Sequence, residues 1–177
     1  GARALRQAGL TEDQLIVAFA PGAAWSYRRW PADRFIALGR WLQETSQAAV
    51  LVFAAKNERE LADQVARGLI AERTVNLAGQ TTIRQMAAIL RRCRLFVGND
   101  SGPMHVAAAS GVPVVGLFGA GEFERFRPWG FEHAPVRAGL PCSPCSQDCA
   151  FSDPRCIRGI SLEQAKKAVA RLLESSA

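Results

Sequence analysis

The sequence has 177 residues, of which 49% are hydrophobic and 21% charged, a globular composition that argues against long disorder. This length predicts one domain over residues 1–177. No apolar run approaches the roughly 18 residues of a membrane-spanning helix, and no leader pattern opens the chain, so we expect a cytoplasmic protein. The net charge of +6 suits an anionic partner such as a nucleotide phosphate or an anionic membrane face, although a solvated surface also explains it.

Short apolar segments alternate with amphipathic ones over most of the chain. A short basic helical lead-in over residues 1–9 comes first. We then predict strands over 15–20, 49–55, 74–78, 94–98 and 112–119, and helices over 32–46, 58–70, from 83, from 101 and over 161–176. The strands are too uniformly apolar to have a wet face, which indicates parallel pairing through right-handed helical crossovers. The predicted class is α/β, a doubly wound, mostly parallel, Rossmann-like sheet.

Residues 128–160 hold most of the proline, cysteine and glycine of the tail, and we expect an irregular loop segment there within the same domain. Four cysteines begin with a Cys-x-x-Cys pair, which leaves a structural zinc or iron–sulfur site open beside free thiols or a loop staple. The fifth cysteine, Cys93, is interpreted as a small core residue. The four candidate metal ligands are Cys142, Cys145, Cys149 and Cys156.

Three polar or glycine-containing segments follow the first, second and fourth predicted strands. They are PGAAWSYRRWP at 21–31, KNE at 56–58 and NDSGPMH at 99–105. Ligands of doubly wound sheets bind beyond the carboxyl ends of the strands, where loops lead into helices. We therefore expect these three segments to converge on one site.

The segment GNDSGPMH, which starts at Gly98, allows two interpretations. In the first, Asp100 or Ser101 caps a short helix and Pro103 occupies its first turn. In the second, Gly102 leaves room for a ligand, and the free N–H groups of the helix start attract a phosphate. His105 would then donate a hydrogen bond to the anion.

The PGAAWSYRRWP segment repeats this pattern, since small residues at a strand end expose backbone N–H groups. Arg28 and Arg29 can grip phosphate oxygens, although we expect one of them to be only solvated. Trp30 is predicted to be a packing anchor. Glu58 is either a helix N-terminal charge or an acceptor for ribose hydroxyls.

VGNDSGPMHVAAASGVPVVGLFG, PGAAWSYRRWP and the spaced cysteines together resemble the bacterial ADP-heptose:lipopolysaccharide heptosyltransferases, glycosyltransferase family 9 of the GT-B class. The resemblance implies the carboxyl-terminal domain of such an enzyme, which binds ADP-heptose for inverting transfer to the lipopolysaccharide inner core. It implies that Ala23, Ala24 and Arg28 face the donor phosphates, with Glu58 at the ribose and Thr81 near the base. The residues implied around the pyrophosphate and heptose are Asp100, Ser101, Gly102, Pro103, Met104 and His105.

The same resemblance implies that the catalytic base belongs to an amino-terminal acceptor domain absent from this chain, which begins without an initiator Met. We therefore expect no catalytic base here, only leaving-group stabilisation by Arg28 and His105, and no turnover by the chain alone. No metal is implied as obligatory and no nucleic acid as partner. The lipopolysaccharide acceptor would be reached through the missing domain, at the cytoplasmic face of the inner membrane with peripheral contact. Asp100, as an anion beside a diphosphate, is assigned to capping or to sugar hydroxyls.

Two other functions stay open. One is a non-enzymatic, zinc-binding interaction module in which the α/β part is scaffold. The other is a different nucleotide-sugar enzyme of the same architecture, such as an epimerase, which would prefer a uridine diphosphate sugar.

Overall fold

The computed structural model describes residues 9–11, 13–130, 133–145, 149, 151 and 153–175. The helical lead-in predicted for residues 1–9 lies, apart from Gly9, outside this part of the chain. In the described residues the strands are β1 Ile16–Ala20, β2 Ala49–Val52, β3 Thr74–Asn76, β4 Leu95–Asn99, β5 Val114–Phe118 and β6 His133–Arg137.

Helices separate these strands. They are α1 Ala32–Ser46, α2 Arg59–Arg67, α3 Ile83–Leu90, α4 Gly102–Ala109, α5 Phe123–Phe126, α6 Arg155–Arg158 and α7 Leu162–Ser175, with short 3-10 helices at Ser26–Arg28, Lys56–Glu58 and Ala71–Arg73. None of the helices within the described ranges is long and apolar enough to cross a membrane.

The strands form one sheet in the order β3-β2-β1-β4-β5-β6, and all neighbouring strands pair in parallel. This confirms the predicted doubly wound α/β class. The strand order reverses between β1 and β4, whose last paired residues are Ala20 and Gly98. Such a reversal opens a crevice at the carboxyl ends of the two strands, because their following helices cover opposite faces of the sheet.

The strand β6 is a correction to the prediction of an irregular segment over 128–160. Its sequence HAPVR alternates between more and less buried positions, with Pro135 exposed. It lies at the edge of the sheet and pairs with β5 alone among the described strands. Proline is tolerated at such an edge. A strand with one solvent-exposed face has no continuous apolar run, so its sequence resembles that of a loop.

Both faces of the sheet are covered. One core cluster packs α1, α2 and α7 on the sheet through residues such as Phe35, Val65 and Val169, and the other packs α3 and α4 through Met86 and Met104. The central strands β1, β2, β4 and β5 are buried throughout, as their uniform apolar character predicts.

Ser161 followed three residues later by Gln164 predicts a capping box at the start of α7, and the structure confirms it. The amide N–H of Gln164 donates to Ser161 Oγ (3.1 Å), and the N–H of Ser161 donates to Gln164 Oε1 (2.8 Å).

The buried side-chain amide of Gln43 joins α1 to the residues that precede and begin β3, at the amino ends of the strands. Gln43 of α1 is fully buried, and its Nε2 donates to the carbonyl of Arg73 (3.1 Å) and to Thr74 Oγ1 (3.0 Å). Its Oε1 accepts from the N–H of Ile70 (2.9 Å). The polar atoms of this amide are thereby satisfied within the core, as buried polar groups require.

We expect Gln43→Ala to lower the free energy of unfolding by about 1–3 kcal/mol, because it removes a fully buried side chain and the hydrogen bonds that it makes to the part-buried backbone at Ile70 and Arg73. Urea denaturation followed by circular dichroism measures this loss. Glu44→Ala on the exposed face of the same helix is the matched control, and we expect it to change stability by less than about 0.5 kcal/mol. Equal effects of the two substitutions would contradict the role assigned to Gln43.

Candidate functional site

A cavity of about 150 Å³ opens at the carboxyl edge of the sheet, between the loops that follow β1 and β2 and the start of α4. It is lined by Ala20, Gly22, Ala23, Ala24, Phe53, Ala54, Ala55, Glu58, Ser101, Gly102 and Pro103. The three segments expected to converge therefore do so. The structure brings together six of the predicted site residues here: Ala23, Ala24, Glu58, Ser101, Gly102 and Pro103.

The β1–α1 loop (residues 21–31) is held to the end of β4 by Asn99. This side chain is fully buried, and its Oδ1 accepts from the backbone N–H of Trp30 (3.0 Å). Its Nδ2 donates to the carbonyls of Pro21 (2.8 Å) and Gly22 (3.3 Å). One amide thus binds both ends of the loop that carries Ala23, Ala24 and Arg28.

Trp30 is a packing anchor, as predicted. Its side chain is 1% exposed, packs edge-on against Phe35 and donates from Nε1 to the carbonyl of Ile160 (2.9 Å). The end of the β1–α1 loop is therefore fixed to the tail of the chain as well as to β4.

Glu58 lines the cavity between the first two strands, and Arg29 pairs with it. Arg29 Nε donates to the carbonyl of Ala23 (2.9 Å), and Arg29 Nη2 lies 3.6 Å from Glu58 Oε1. Glu58 Oε2 accepts from the N–H of Ala55 (3.3 Å), and a Cβ on Gly22 would overlap the Glu58 carboxylate. Arg29 is thus engaged with the protein and is not the free, solvated arginine expected for one of the pair.

Arg28 pairs with Asp100 on the other side of the start of α4. Arg28 Nη1 lies 3.1 Å from Asp100 Oδ2, and the two side chains are 16% and 4% exposed. The contact is an ion pair without hydrogen-bond geometry, since Asp100 Oδ2 and Arg28 Nε are both buried with no hydrogen-bond partner among the described residues. A Cβ on Gly121 would overlap Oδ2, so this glycine makes room for the carboxylate.

Burial raises the pKa of Asp100 above its ordinary value of 3.8, and the positive charges of Arg28 and His105 partly oppose that rise. Buried polar atoms without a hydrogen-bond partner are uncommon in folded proteins. In this pair both atoms are enclosed by the protein, so charge attraction rather than hydrogen bonding holds the two side chains together.

The capping interpretation of Asp100 and Ser101 is wrong. Ser101 occupies the residue before α4 in an extended conformation, but its hydroxyl donates to the carbonyl of Asn99 (3.2 Å) and accepts no hydrogen bond from the helix. Asp100 is turned toward Arg28 instead. Pro103 does lie in the first turn of α4, as predicted, and Gly111 follows the helix with a φ of +78°. The helix therefore begins without a side-chain cap on its N–H groups.

Gly102 has no structural reason to be a glycine. A Cβ added there would meet no atom within 4 Å, and the residue does not adopt a positive φ. The free space above it opens toward the cavity, as expected of a position that a ligand approaches.

Five predicted site residues lie outside the lining of this cavity: the paired Arg28 and Asp100, and also Met104, Thr81 and His105. Met104 is fully buried among core residues, with its sulfur against Gly116, so it cannot contact a ligand in this conformation. Thr81 is partly buried between β3 and α3, and the neighbouring Thr82 begins α3 as its cap. His105 is exposed on α4 and influences Asp100 electrostatically.

The cysteine tail forms no metal site in the described part of the chain, where no group of three or more His, Cys, Asp or Glu side chains could hold an ion. Cys142 and Cys149 are exposed, Cys145 is intermediate and Cys156 is buried, all as free cysteines. The tetracysteine metal interpretation is therefore not supported. Cys93 is a core residue, as predicted, and burial raises the pKa of its thiol to about 12.

The sequence places Asn99 and Gly22 in segments expected at the site but predicts no contact for either of them, nor for Gly121. Of the three, only Asn99 has a sequence pattern that could have indicated its role, because it is a polar residue at the end of an otherwise apolar strand. Gly22 and Gly121 become informative only when the carboxylates packed on them are seen.

We expect the carboxyl pKa of Asp100, followed by carbon-13 NMR, to lie above 3.8. Arg28→Ala should raise it further, because the substitution removes the opposing positive charge. A raised folded-state pKa means that the associated stability is present below the unfolded value and is lost as the pH rises through the folded value. Asp100→Asn should consequently flatten the pH dependence of unfolding in that window, whereas a measured pKa at or below 3.8 would contradict this account.

The family model described as glycosyltransferase family 9 (heptosyltransferase) matches residues 2–153. Lipooligosaccharide heptosyltransferase 2 of Campylobacter jejuni (strain NCTC 11168) is 32% identical over 174 residues, which is 94% of this chain and 54% of that protein. Lipopolysaccharide heptosyltransferase 3 of Escherichia coli K12 is 31% identical over 128 residues, which is 72% of this chain and 37% of that protein.

Two solved structures share the fold. A glycosyl transferase family 9 structure from Veillonella parvula is 25% identical, with a TM-score of 0.85 over 98% of this chain and 50% of that one. The E. coli ADP-heptose lipopolysaccharide heptosyltransferase II is 24% identical, with a TM-score of 0.83 over 98% of this chain and 51% of that one. The chain spans about half the length of the first curated relatives it matches. With a family match over most of its length, the chain belongs to glycosyltransferase family 9, the heptosyltransferase family.

Proposed function

We propose that this chain is the donor-binding domain of a heptosyltransferase, and that it binds ADP-heptose for inverting transfer of heptose to the lipopolysaccharide inner core. The observation that carries the proposal is the Arg28–Asp100 ion pair beside a helix start without a side-chain cap. Both features lie at the reversal of strand order, where doubly wound sheets bind ligands.

The nucleoside is proposed to occupy the cavity between the β1 and β2 loops. Small residues line it, and Glu58 supplies a carboxylate at its wall. An acidic side chain after the second strand is the usual acceptor for ribose hydroxyls in folds of this kind. ADP-heptose stands in the name of the E. coli structural relative, and we carry it to this chain as the proposed donor.

The diphosphate is proposed to lie across the start of α4, between Gly102 and Arg28. Backbone N–H groups at a helix start and an arginine together attract phosphate oxygens. During transfer the negative charge grows on the departing ADP, and a positive group held in place beforehand stabilises that charge without reorganising. Arg28 performs this role, and His105 adds a second donor from the exposed face of α4.

The rest of the reaction is proposed to depend on the remainder of a longer protein. An inverting transfer needs a base that takes the proton of the acceptor hydroxyl, and we assign that base and the acceptor site to an amino-terminal domain. Residues 1–177 then form one donor-binding domain, with no turnover by itself. We place the whole enzyme in the cytoplasm, in peripheral contact with the inner membrane where its lipopolysaccharide acceptor lies.

We expect Arg28→Ala to weaken ADP binding by roughly 10- to 100-fold in calorimetric titration, because it removes a charge-assisted contact and leaves Asp100 as an unpaired anion. His105→Ala should weaken binding less, since this side chain is exposed. Arg67→Ala is the matched control, an exposed arginine in the last turn of α2. Wild-type protein without detectable heat at millimolar ADP and ADP-heptose would overturn the proposed function.

Gly102→Ala separates binding from folding. We expect unfolding stability to change by less than about 0.5 kcal/mol, because the added Cβ meets no atom of the protein. ADP affinity should fall roughly tenfold or more, because the methyl group would occupy the space through which the diphosphate reaches the start of α4. An unchanged affinity would place the ligand elsewhere.

A competition experiment distinguishes the proposed heptosyltransferase from the other nucleotide-sugar enzyme, the epimerase-like alternative. ADP and ADP-heptose should displace a fluorescent ADP probe at lower concentration than UDP and UDP-glucose. Preference for the uridine compounds would favour the epimerase-like alternative.

A further inference from the structure

We infer that Asn99 is a positioning residue of the donor site. Its buried carboxamide joins the two ends of the β1–α1 loop by hydrogen bonds and thereby holds Ala23, Ala24 and Arg28 where the diphosphate binds. The inference rests on the proposed function for the identity of the ligand.

The pairing of β1 with β4 cannot hold the two ends of this loop together. The parallel ladder between β1 and β4 ends at the pair Ala20 and Gly98, and the following residues diverge toward opposite faces of the sheet. Asn99 is the next residue of β4 and pairs on its other side with Leu117 of β5. Its side chain therefore lies at the point where backbone pairing stops and the loop begins.

The three hydrogen bonds of the side chain join both ends of the loop. Nδ2 binds the carbonyls of Pro21 (2.8 Å) and Gly22 (3.3 Å) at its start, and Oδ1 binds the N–H of Trp30 (3.0 Å) at its end. Asn99 is 0% exposed, so its hydrogen bonds lie in a low-dielectric environment that strengthens them. The loop between these ends carries the residues proposed to meet the diphosphate.

An asparagine side chain fits this geometry in a way that its close analogues do not. The two carbonyls at the start of the loop and the N–H at its end require two N–H donors and one acceptor from a single short side chain. A carboxamide has these groups. Aspartate would keep the acceptor for Trp30 but lose both donors, and its charge would face two carbonyls. Serine is too short to reach both ends of the loop.

Gln43 supplies a matched control from the same protein. It is also a fully buried carboxamide that bridges backbone groups, but it joins α1 to the chain around Ile70 and Arg73, before β3, at the opposite edge of the sheet. Loss of either amide should destabilise the fold, whereas only loss of Asn99 should disturb the donor loop.

The experiment measures ADP affinity by calorimetry for wild type, Asn99→Ser, Asn99→Asp and Gln43→Ala, at a temperature where circular dichroism shows each to be folded. We expect both Asn99 variants to bind ADP at least roughly tenfold more weakly, and Gln43→Ala to remain within about twofold of wild type. Arg28→Ala combined with Asn99→Ser should bind about as weakly as the weaker single variant, because both act on one contact.

A second measurement does not depend on the ligand. Hydrogen exchange of the Trp30 backbone amide should accelerate in Asn99→Ser and stay protected in Gln43→Ala. Faster exchange at Trp30 with wild-type ADP affinity would overturn the positioning role, and so would unchanged protection in Asn99→Ser. A wild-type protein that fails to bind ADP overturns the proposed function instead, while the exchange comparison still decides whether Asn99 holds the loop.

Discussion

The end of β1 and the end of β4 must separate to opposite faces of the sheet while their backbone groups stay buried, and the carboxamide of Asn99 meets that requirement. It supplies three hydrogen bonds where the parallel ladder stops. The loop that it closes carries the small residues and arginines of the site, and Trp30 at the end of that loop fixes the tail of the chain through the carbonyl of Ile160. The crevice, the loop and the docking of α7 therefore share one point of attachment.

The charges of Arg28 and Asp100 and the uncapped start of α4 determine the electrostatics of the site. Asp100 is buried and Arg28 partly buried, and the two form an ion pair in which each retains a polar atom without a hydrogen-bond partner in the described chain. Ser101 donates away from α4 rather than capping it. Arg28 therefore lies beside Asp100, which directly precedes the uncapped start of α4, and the open space above Gly102 faces the cavity; the proposed diphosphate site uses both features.

Much of this architecture could be predicted, because each central strand is buried on both faces and carries a continuous apolar run. The helix over 32–46 and the Ser161 capping box have strictly local causes and were predicted with the correct residues. β6 was missed because an edge strand alternates and tolerates Pro135, so its pattern resembles a loop. Met104 was misassigned to the ligand, since its position in the motif does not reveal that it faces the core.

The sequence by itself determined the fold class, the edge of the sheet at which the site lies and the family resemblance, because burial periodicity and turn chemistry are local properties. Only the tertiary structure decided the partners: that Asp100 faces Arg28, that Arg29 binds Ala23 and Glu58, and that Asn99 closes the loop. Each of those contacts joins residues from different strands and loops. Their geometry depends on how the strands are ordered in the sheet, which no short stretch of sequence contains.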